Sequence, residues 1–254
     1  MLQEKRFANT VEYLKIHKTA KISELAKLNH VSVDTVRRDL ETLEGYGVLE
    51  KVRGGAVWRE ESLEQHVYEM RTTLHKEEKG ELSKLVNRVL EDGKTVVLGS
   101  GSTTVQMAQE IAANYKRLTV ITNDLDIVKI MSRRDGIRLI VLGGLLDPDE
   151  NAVYGARCEE EIQNYNADVC ILAVNGISAE KGISDFRLNQ METFKRMMEI
   201  SGEVVIAADN SKFDRVSCMK LCEINEIDCV LCDGGLEESQ RRKLQDRGIT
   251  VITE

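Results

Sequence analysis

The chain has one proline, Pro148, in 254 residues, and four histidines, His17, His30, His66 and His75. So little proline excludes a proline-rich linker protein and suits compact helix-and-strand units. All four histidines precede residue 76, so the larger part of the chain has no imidazole for acid–base chemistry. No apolar run approaches the ~20 residues that a membrane-spanning helix needs. The opening MLQEKRFANT lacks the apolar core of a secretory signal, so a cytoplasmic chain is expected. The nucleotide loop GxxxxGK[ST] is absent, and GxGxxG fails at its third glycine, where Thr104 stands.

A hydrophobic content of 42% is enough to bury a core and excludes global disorder. The six cysteines are Cys158, Cys170, Cys218, Cys222, Cys229 and Cys232. In a cytosolic chain they are expected as reduced thiols. The last four invite a zinc reading. Cys229 and Cys232 lie in an apolar run that resembles a buried strand, however, where they would point to opposite faces. Small buried hydrophobes are the favoured reading, with no metal and no cofactor. The net charge of −8 is uneven. Residues 1–58 carry ten Lys/Arg against eight Asp/Glu, a net of +2, which leaves −10 for the rest.

The stretch ISELAKLNHVSVDTVRRDLETL, residues 22–43, reads as two short helices joined by a tight turn. A first helix precedes it over residues 3–17, with apolar positions at Phe7, Val11, Leu14 and Ile16, of which Phe7, Val11 and Leu14 follow the spacing of one buried face. The second buries Ile22, Leu25 and Ala26, and Asn29-His30 makes the turn, with Asn29 suited to a left-handed backbone. Ser32 is the expected N-cap of the third helix, and Val36, Leu40 and Leu43 are its core face. Ser32, Thr35, Arg37 and Arg38 are then left exposed. An arginine there can donate two bonds to a guanine edge, and Thr35 can touch a thymine methyl. The competing reading is a solvated helix with arginines paired to Asp34 or Glu41. The helix–turn–helix context favours DNA. Gly45 and Gly47 end the helix. VLEKVRGGAVW follows as a hairpin turning at Gly54-Gly55, with Lys51 and Arg53 available to phosphates. Together these segments make a winged module over residues 1–58. Residues 59–75 read as a partly helical connector.

Residues 76–254 read as an α/β domain with a largely parallel sheet. A helix over 76–90 buries Leu82, Leu85, Val86 and Val89. TVVLGSGSTT, LTVITND, IRLIVLGG, VCILAVNG, EVVIAAD, CVLCDGG and ITVIT supply the strands, with helices between several of them. Ligands collect beyond the carboxyl ends of strands in such sheets. There the chain places Gly101, Ser102, Thr103 and Thr104, then Asn123, Gly144, Asn175, Gly176 and Lys212. The first group combines flexible backbone, hydroxyls and a following helix N-terminus, which suits an anion, most naturally a phosphate. An ordinary tight strand–helix turn is the plain alternative. Lys195 and Glu192 are kept as pocket candidates, although METFKRMME also fits a solvated helix face. No catalytic set is visible.

These motifs carry a resemblance. VSVDTVRRDLETLEGYGVLEKVRGGAV resembles the winged helix-turn-helix of the DeoR family of bacterial sugar-metabolism regulators. It matches at Arg37-Arg38-Asp39-Leu40 and at Gly54-Gly55-Ala56. GSGSTT, LTVITND, Leu142-Gly143-Gly144, Asn175-Gly176-Ile177 and Asp209-Asn210-Ser211-Lys212 resemble the family's sensor domain, which is similar in fold to ribose-5-phosphate isomerase. The resemblance implies a repressor, or otherwise a regulator, that binds a double-stranded operator as a dimer or tetramer. It also implies a phosphorylated sugar or polyol as effector. Two departures stand out. Gly99 replaces an acid that family sensors often carry before the loop, and Val174-Asn175-Gly176 replaces Ala-Asp-Gly. The alternative function is a sugar-phosphate isomerase with a DNA-binding appendage, relying on Glu192 or Asp209 in the absence of histidine.

Overall fold

A computed structural model describes residues 3–45, 49–58, 71 and 76–253. The chain divides into two compact units, Met1–Leu74 and His75–Glu254. Among the described residues no helix is long and apolar enough to cross a membrane.

The first unit contains α1 (Gln3–His17), β1 (Thr19–Lys21), α2 (Ile22–Asn29), α3 (Val33–Gly45), β2 (Leu49–Val52) and β3 (Gly55–Trp58). Phe7, Val11, Leu14, Leu25, Val36, Leu40 and Leu43 form one core, with Ile22 and Ala26 partly buried against it. Ile16 is exposed, because helical periodicity places it on the side of α1 opposite Phe7. Asn29 is not the left-handed residue of the turn. It ends α2 fully buried, donating to Thr10 Oγ1 at 3.0 Å, and His30 takes the positive φ of 51°. Buried Asp39 accepts two bonds from Arg6, at 2.6 and 2.8 Å, and so ties α3 to α1.

The hairpin turns at Arg53-Gly54, one residue earlier than expected, since Gly55 already pairs with Val52. Gly55 has another task. It pairs with Lys21 of β1, a strand that lies between two helices and shows no alternation in sequence. A Cβ on Gly55 would come 2.1 Å from the Ala20 carbonyl oxygen. The wing is therefore three-stranded, in the order β1-β3-β2. Gly47 and Val48 lie outside the described residues, as does the expected connector over 59–75 apart from Arg71.

The second unit opens with α4 (Lys76–Lys84), which continues as a 3-10 turn over Leu85–Arg88 rather than as α-helix to residue 90. Then come β4 (Thr95–Leu98), α5 (Ser102–Asn114), β5 (Leu118–Thr122), α6 (Leu125–Met131), β6 (Ile137–Val141), β7 (Leu145–Asp147), β8 (Ala152–Tyr154) and α7 (Ala156–Ile162). The chain continues through β9 (Ala167–Ala173), β10 (Gly176–Ser178), β11 (Gly182–Asp185), α8 (Met191–Glu199), β12 (Ser201–Ala207), β13 (Met219–Cys222), β14 (Cys229–Leu231), α9 (Glu238–Gln245) and β15 (Thr250–Ile252). Seven strands form a parallel sheet in the order β15-β14-β12-β9-β4-β5-β6. Alternate residues feed two cores. Val97, Ile121, Cys170, Leu172, Ile206 and Val230 join one, and Val96, Leu98, Val120, Ile171, Val205 and Leu231 the other. Cys229 and Cys232 likewise fall into different cores, as strand alternation requires.

The chain runs outward from β4 through β5 to β6, then returns to lay β9 on the other side of β4. The strand order reverses between β4 and β9. Such a switch point opens a crevice at the carboxyl ends of its strands, where α/β proteins bind ligands.

Candidate nucleic-acid interface and effector crevice

α3 presents the expected surface. Ser32 Oγ accepts the Thr35 backbone N–H at 3.2 Å, which makes it the N-cap, and it also meets Thr35 Oγ1 at 2.9 Å. Arg37 pairs with Asp34 at 3.0 Å, but both side chains are more than half exposed, at 58% and 80%. A pair so exposed is worth ~0–1 kcal/mol, so Arg37 can leave it for a base or phosphate at small cost. Arg38 is exposed, and its side chain makes no hydrogen bond among the described residues. Arg53 is exposed at the tip of the wing. Lys51 is engaged rather than open: its Nζ meets Glu41 at 2.7 Å, and its backbone N–H donates to Glu44 at 2.7 Å. The wing is thereby fastened to α3, and Lys51 reaches a phosphate only by releasing Glu41.

In the second unit, the loop over residues 99–104 fills the β4 side of the switch point. Gly101 has φ +150° and approaches β9 closely; a Cβ there would lie 3.1 Å from Ala173 Cβ. Its N–H donates to Asp124 Oδ2 at 3.2 Å. Ser102 and Thr103 are buried at the first turn of α5. Buried Lys79, arriving from α4, donates to Ser102 Oγ at 3.2 Å. A cation thus stands beside a helix N-terminus, the combination that holds an anion. Thr104 has a different part: its hydroxyl turns back onto Gly99 O at 2.6 Å and Gly101 O at 2.9 Å, so it shapes the loop.

Asp124 caps α6, accepting the N–H groups of Asp126 and Ile127 at 2.8 and 3.0 Å. Burial pushes its carboxyl up to about 6, against the pull of these N–H groups and that of Gly101. Beside it, Asn123 is fully buried, donating to Val153 O at 2.7 Å and Gln190 Oε1 at 2.8 Å.

Arg187 is the residue that sequence reasoning passed over. It folds back from the segment after β11 and lies buried in the switch point. Its guanidinium donates to Ser100 O at 2.7 Å on the β4 side and to Ala173 O at 2.6 Å on the β9 side. It also grips Asp185 through two bonds, at 2.8 and 2.7 Å, and lies 5.0 Å from the Phe194 ring centroid. Burial works against the Asp185 charge, but the guanidinium beside it prevails and holds the carboxyl below its ordinary range. Asn175 Nδ2 donates to the same carboxylate at 3.2 Å. The only advance sign of this pair was two opposite charges, two positions apart, inside GISDFRLNQ.

The remaining candidates divide. Gly144 and Gly176 are glycines for packing: a Cβ would lie 2.5 Å from Tyr154 O at the first and 2.5 Å from Ser184 Oγ at the second. Lys212 closes a half-buried 3-10 turn, Asn210–Lys212, capped by Asp209. Lys195 is not brought to the crevice side of α8. It is exposed and pairs with Glu192 at 3.7 Å, which also meets Arg196 at 3.0 Å, while Thr193 and Phe194 face inward. The charge run is a solvated face. Burial pushes the Cys158 thiol up to about 11 and those of Cys222 and Cys229 up to about 12. Among the described residues no group of three or more His, Cys, Asp or Glu is placed to hold a metal.

Comparison with known proteins agrees with this geometry. Residues 6–62 match the DeoR-like helix-turn-helix domain, and residues 74–234 match the DeoR C terminal sensor domain. The chain belongs to the DeoR family. This DeoR-family chain is 31% identical over 233 residues to the HTH-type transcriptional repressor GlcR of Bacillus subtilis (strain 168), covering 92% of the chain and 89% of the relative. It is 28% identical to the transcriptional regulator IolR of the same organism, covering 97% of each. It is 26% identical to the glycerol-3-phosphate regulon repressor of Escherichia coli (strain K12), covering 99% of each. A ribose 5-phosphate isomerase from Methanocaldococcus jannaschii is similar over 54% of each chain, at 16% identity and a TM-score of 0.39. The DeoR-family chain is a DNA-binding transcriptional regulator and not an enzyme.

Proposed function

We propose that this regulator represses a sugar or polyol operon and that a phosphorylated sugar or polyol, bound in the β4–β9 crevice, controls it. The observation that carries this reading is buried Lys79 beside the hydroxyls and helix N-terminus of residues 101–104. A phosphate placed there would meet both the Lys79 ammonium and the N–H groups at the positive end of the helix. The relative named glycerol-3-phosphate regulon repressor fits this chemistry. The chain acts as a homo-oligomer, a dimer or tetramer, since paired half-sites require paired modules. Effector binding changes the relative affinity for DNA, because the effector binds the free and DNA-bound states unequally.

A mobility-shift and footprint assay on the promoter region next to the coding gene tests this reading. The footprint is expected to span two half-sites about one helical turn apart. Arg38→Ala should weaken specific binding by about 1–3 kcal/mol. Lys79→Ala should leave DNA binding intact and abolish the response to the sugar phosphate that acts on the natural chain. An undiminished response in Lys79→Ala would overturn the assignment of the phosphate site.

A further inference from the structure

Buried polar atoms in folded proteins nearly always find a hydrogen-bond partner, because one left without is costly. Among the described residues of the second unit, four buried side-chain atoms lack one: Ser100 Oγ, Asn123 Oδ1, Gln190 Nε2 and Thr193 Oγ1, the last with the Cys158 thiol beside it. All four residues are completely buried. They are also neighbours. Asn123 Nδ2 donates to Gln190 Oε1 at 2.8 Å and to Val153 O at 2.7 Å. Cys158 Sγ, next to Thr193, lies 4.0 Å from the same Val153 carbonyl. Gln190 and Thr193 are three residues apart at the start of α8, and so share a face. Ser100 joins them through Arg187, whose guanidinium donates to the Ser100 carbonyl and whose own backbone carbonyl accepts the Gln190 backbone N–H at 3.0 Å. Turning the amides does not help. A reversed Asn123 would press its oxygen on two other oxygens, and a reversed Gln190 would set two NH2 groups face to face.

We propose that this cluster reads the hydroxyl groups of the effector; the proposal rests on the effector reading above and specifies its uncharged half. Asn123 Oδ1 offers an acceptor and Gln190 Nε2 a donor, and the Ser100 and Thr193 hydroxyls can do either. A single hydroxyl can donate to Asn123 and accept from Gln190, and a vicinal diol can satisfy them separately. None of the four side chains carries a charge. The set therefore suits the carbon chain of a sugar or polyol, while the phosphate is left to Lys79 and the loop. Gln190 is the specificity-determining residue of the group, because its donor has no other use.

Titration calorimetry on the full-length chain tests this. The probes are inorganic phosphate, glucose 6-phosphate, fructose 6-phosphate, ribose 5-phosphate and glycerol 3-phosphate, with 2-deoxyglucose 6-phosphate and 2-deoxyribose 5-phosphate as the hydroxyl-deficient set. Gln190→Glu keeps the oxygen that Asn123 uses and removes the donor; Thr193→Val removes only a hydroxyl. The natural chain should prefer a hydroxyl-bearing probe to the hydroxyl-deficient set by about tenfold or more, as sites built to bond a hydroxyl do. The variants should bring that preference close to parity, with phosphate affinity changed by less than about twofold. A preference kept by both variants, or equal weakening of sugar phosphate, deoxy analogue and phosphate, overturns the hydroxyl assignment alone. A natural chain that takes none of the probes overturns the effector reading, and this proposal with it.

Discussion

Arg187 and Asp185 lean on each other at the bottom of the crevice, both almost wholly withdrawn from water. Removing one member of a buried ion pair strands the other charge, which costs about 3–5 kcal/mol, whereas replacing both with apolar groups costs far less. Arg187→Met should therefore destabilise the fold strongly in urea unfolding, and Arg187→Met with Asp185→Leu should recover much of that loss. Equal losses in the single and double variants would show that the guanidinium matters for its hold on Ser100 and Ala173 rather than for its charge. Asp124 gives a prediction about pH. Its carboxyl ionises near 4 in the unfolded chain and at about 6 in the fold. The folded state thus holds its proton more tightly, a benefit present in full below pH ~4 and lost as pH rises through about 6. Asp124→Asn, which never ionises, should gain on the natural chain by on the order of 2 kcal/mol between pH 4 and 7, read from paired denaturation curves. A flat difference would mean that Asp124 is not desolvated. Arg38 was legible in advance because a helix face can be counted out from its neighbours. Arg187 was not: nothing in GISDFRLNQ tells that its side chain reaches a loop 87 positions earlier. Lys195 was misjudged because a charge run at three- and four-residue spacing looks alike on a solvated face and at a pocket rim.

α3 and the wing behave as one device. Asp39, inside the RRDL motif, faces the core and fixes the pitch of α3 through Arg6, while the neighbouring arginines face out. At the other end the Lys51–Glu41 contact sets where the wing tip stands. Arg53 is then the open cation of the tip. Each phosphate neutralised steepens the fall of log K with log salt by about 0.9. Arg53→Ala should lessen that slope by about one per bound module and leave base preference unchanged. A changed preference among operator variants would place Arg53 in a groove instead. Gly55→Ala should cost roughly 1–3 kcal/mol, seen as a lower melting temperature, because the added methyl strikes the Ala20 carbonyl. Helices and long strands were readable from period and composition. β1 was not, since three residues between two helices show no alternation, and its existence depends on Gly55 being small.

At the scale of the whole molecule, the seven parallel strands were legible singly, as short apolar runs, but their order was not. That β9 returns to the inner side of β4, instead of continuing beyond β6, is decided by packing on both faces of the sheet. No local pattern announces it, and it is what creates the crevice. The division of charge was legible, and it carries weight: only the first 58 residues are net positive, at ten basic side chains to eight acidic. Contact with DNA is therefore confined to that end by repulsion elsewhere. The isomerase alternative makes a direct prediction in the opposite sense. Incubated with ribose 5-phosphate, the purified chain should produce no ketose above the rate seen without protein; steady turnover abolished by Glu192→Gln would reinstate an enzyme. The placement of the four histidines has one more consequence. None of them stands beyond residue 75. An imidazole is the side chain that ordinarily changes charge between pH 5 and 8, and the unit proposed to meet the metabolite has one only at its first residue, His75. Beyond His75, mild acidification meets the shielded carboxyl of Asp124, so on the effector reading the signal passed to the genome concerns which molecule is present more than how sour the medium is.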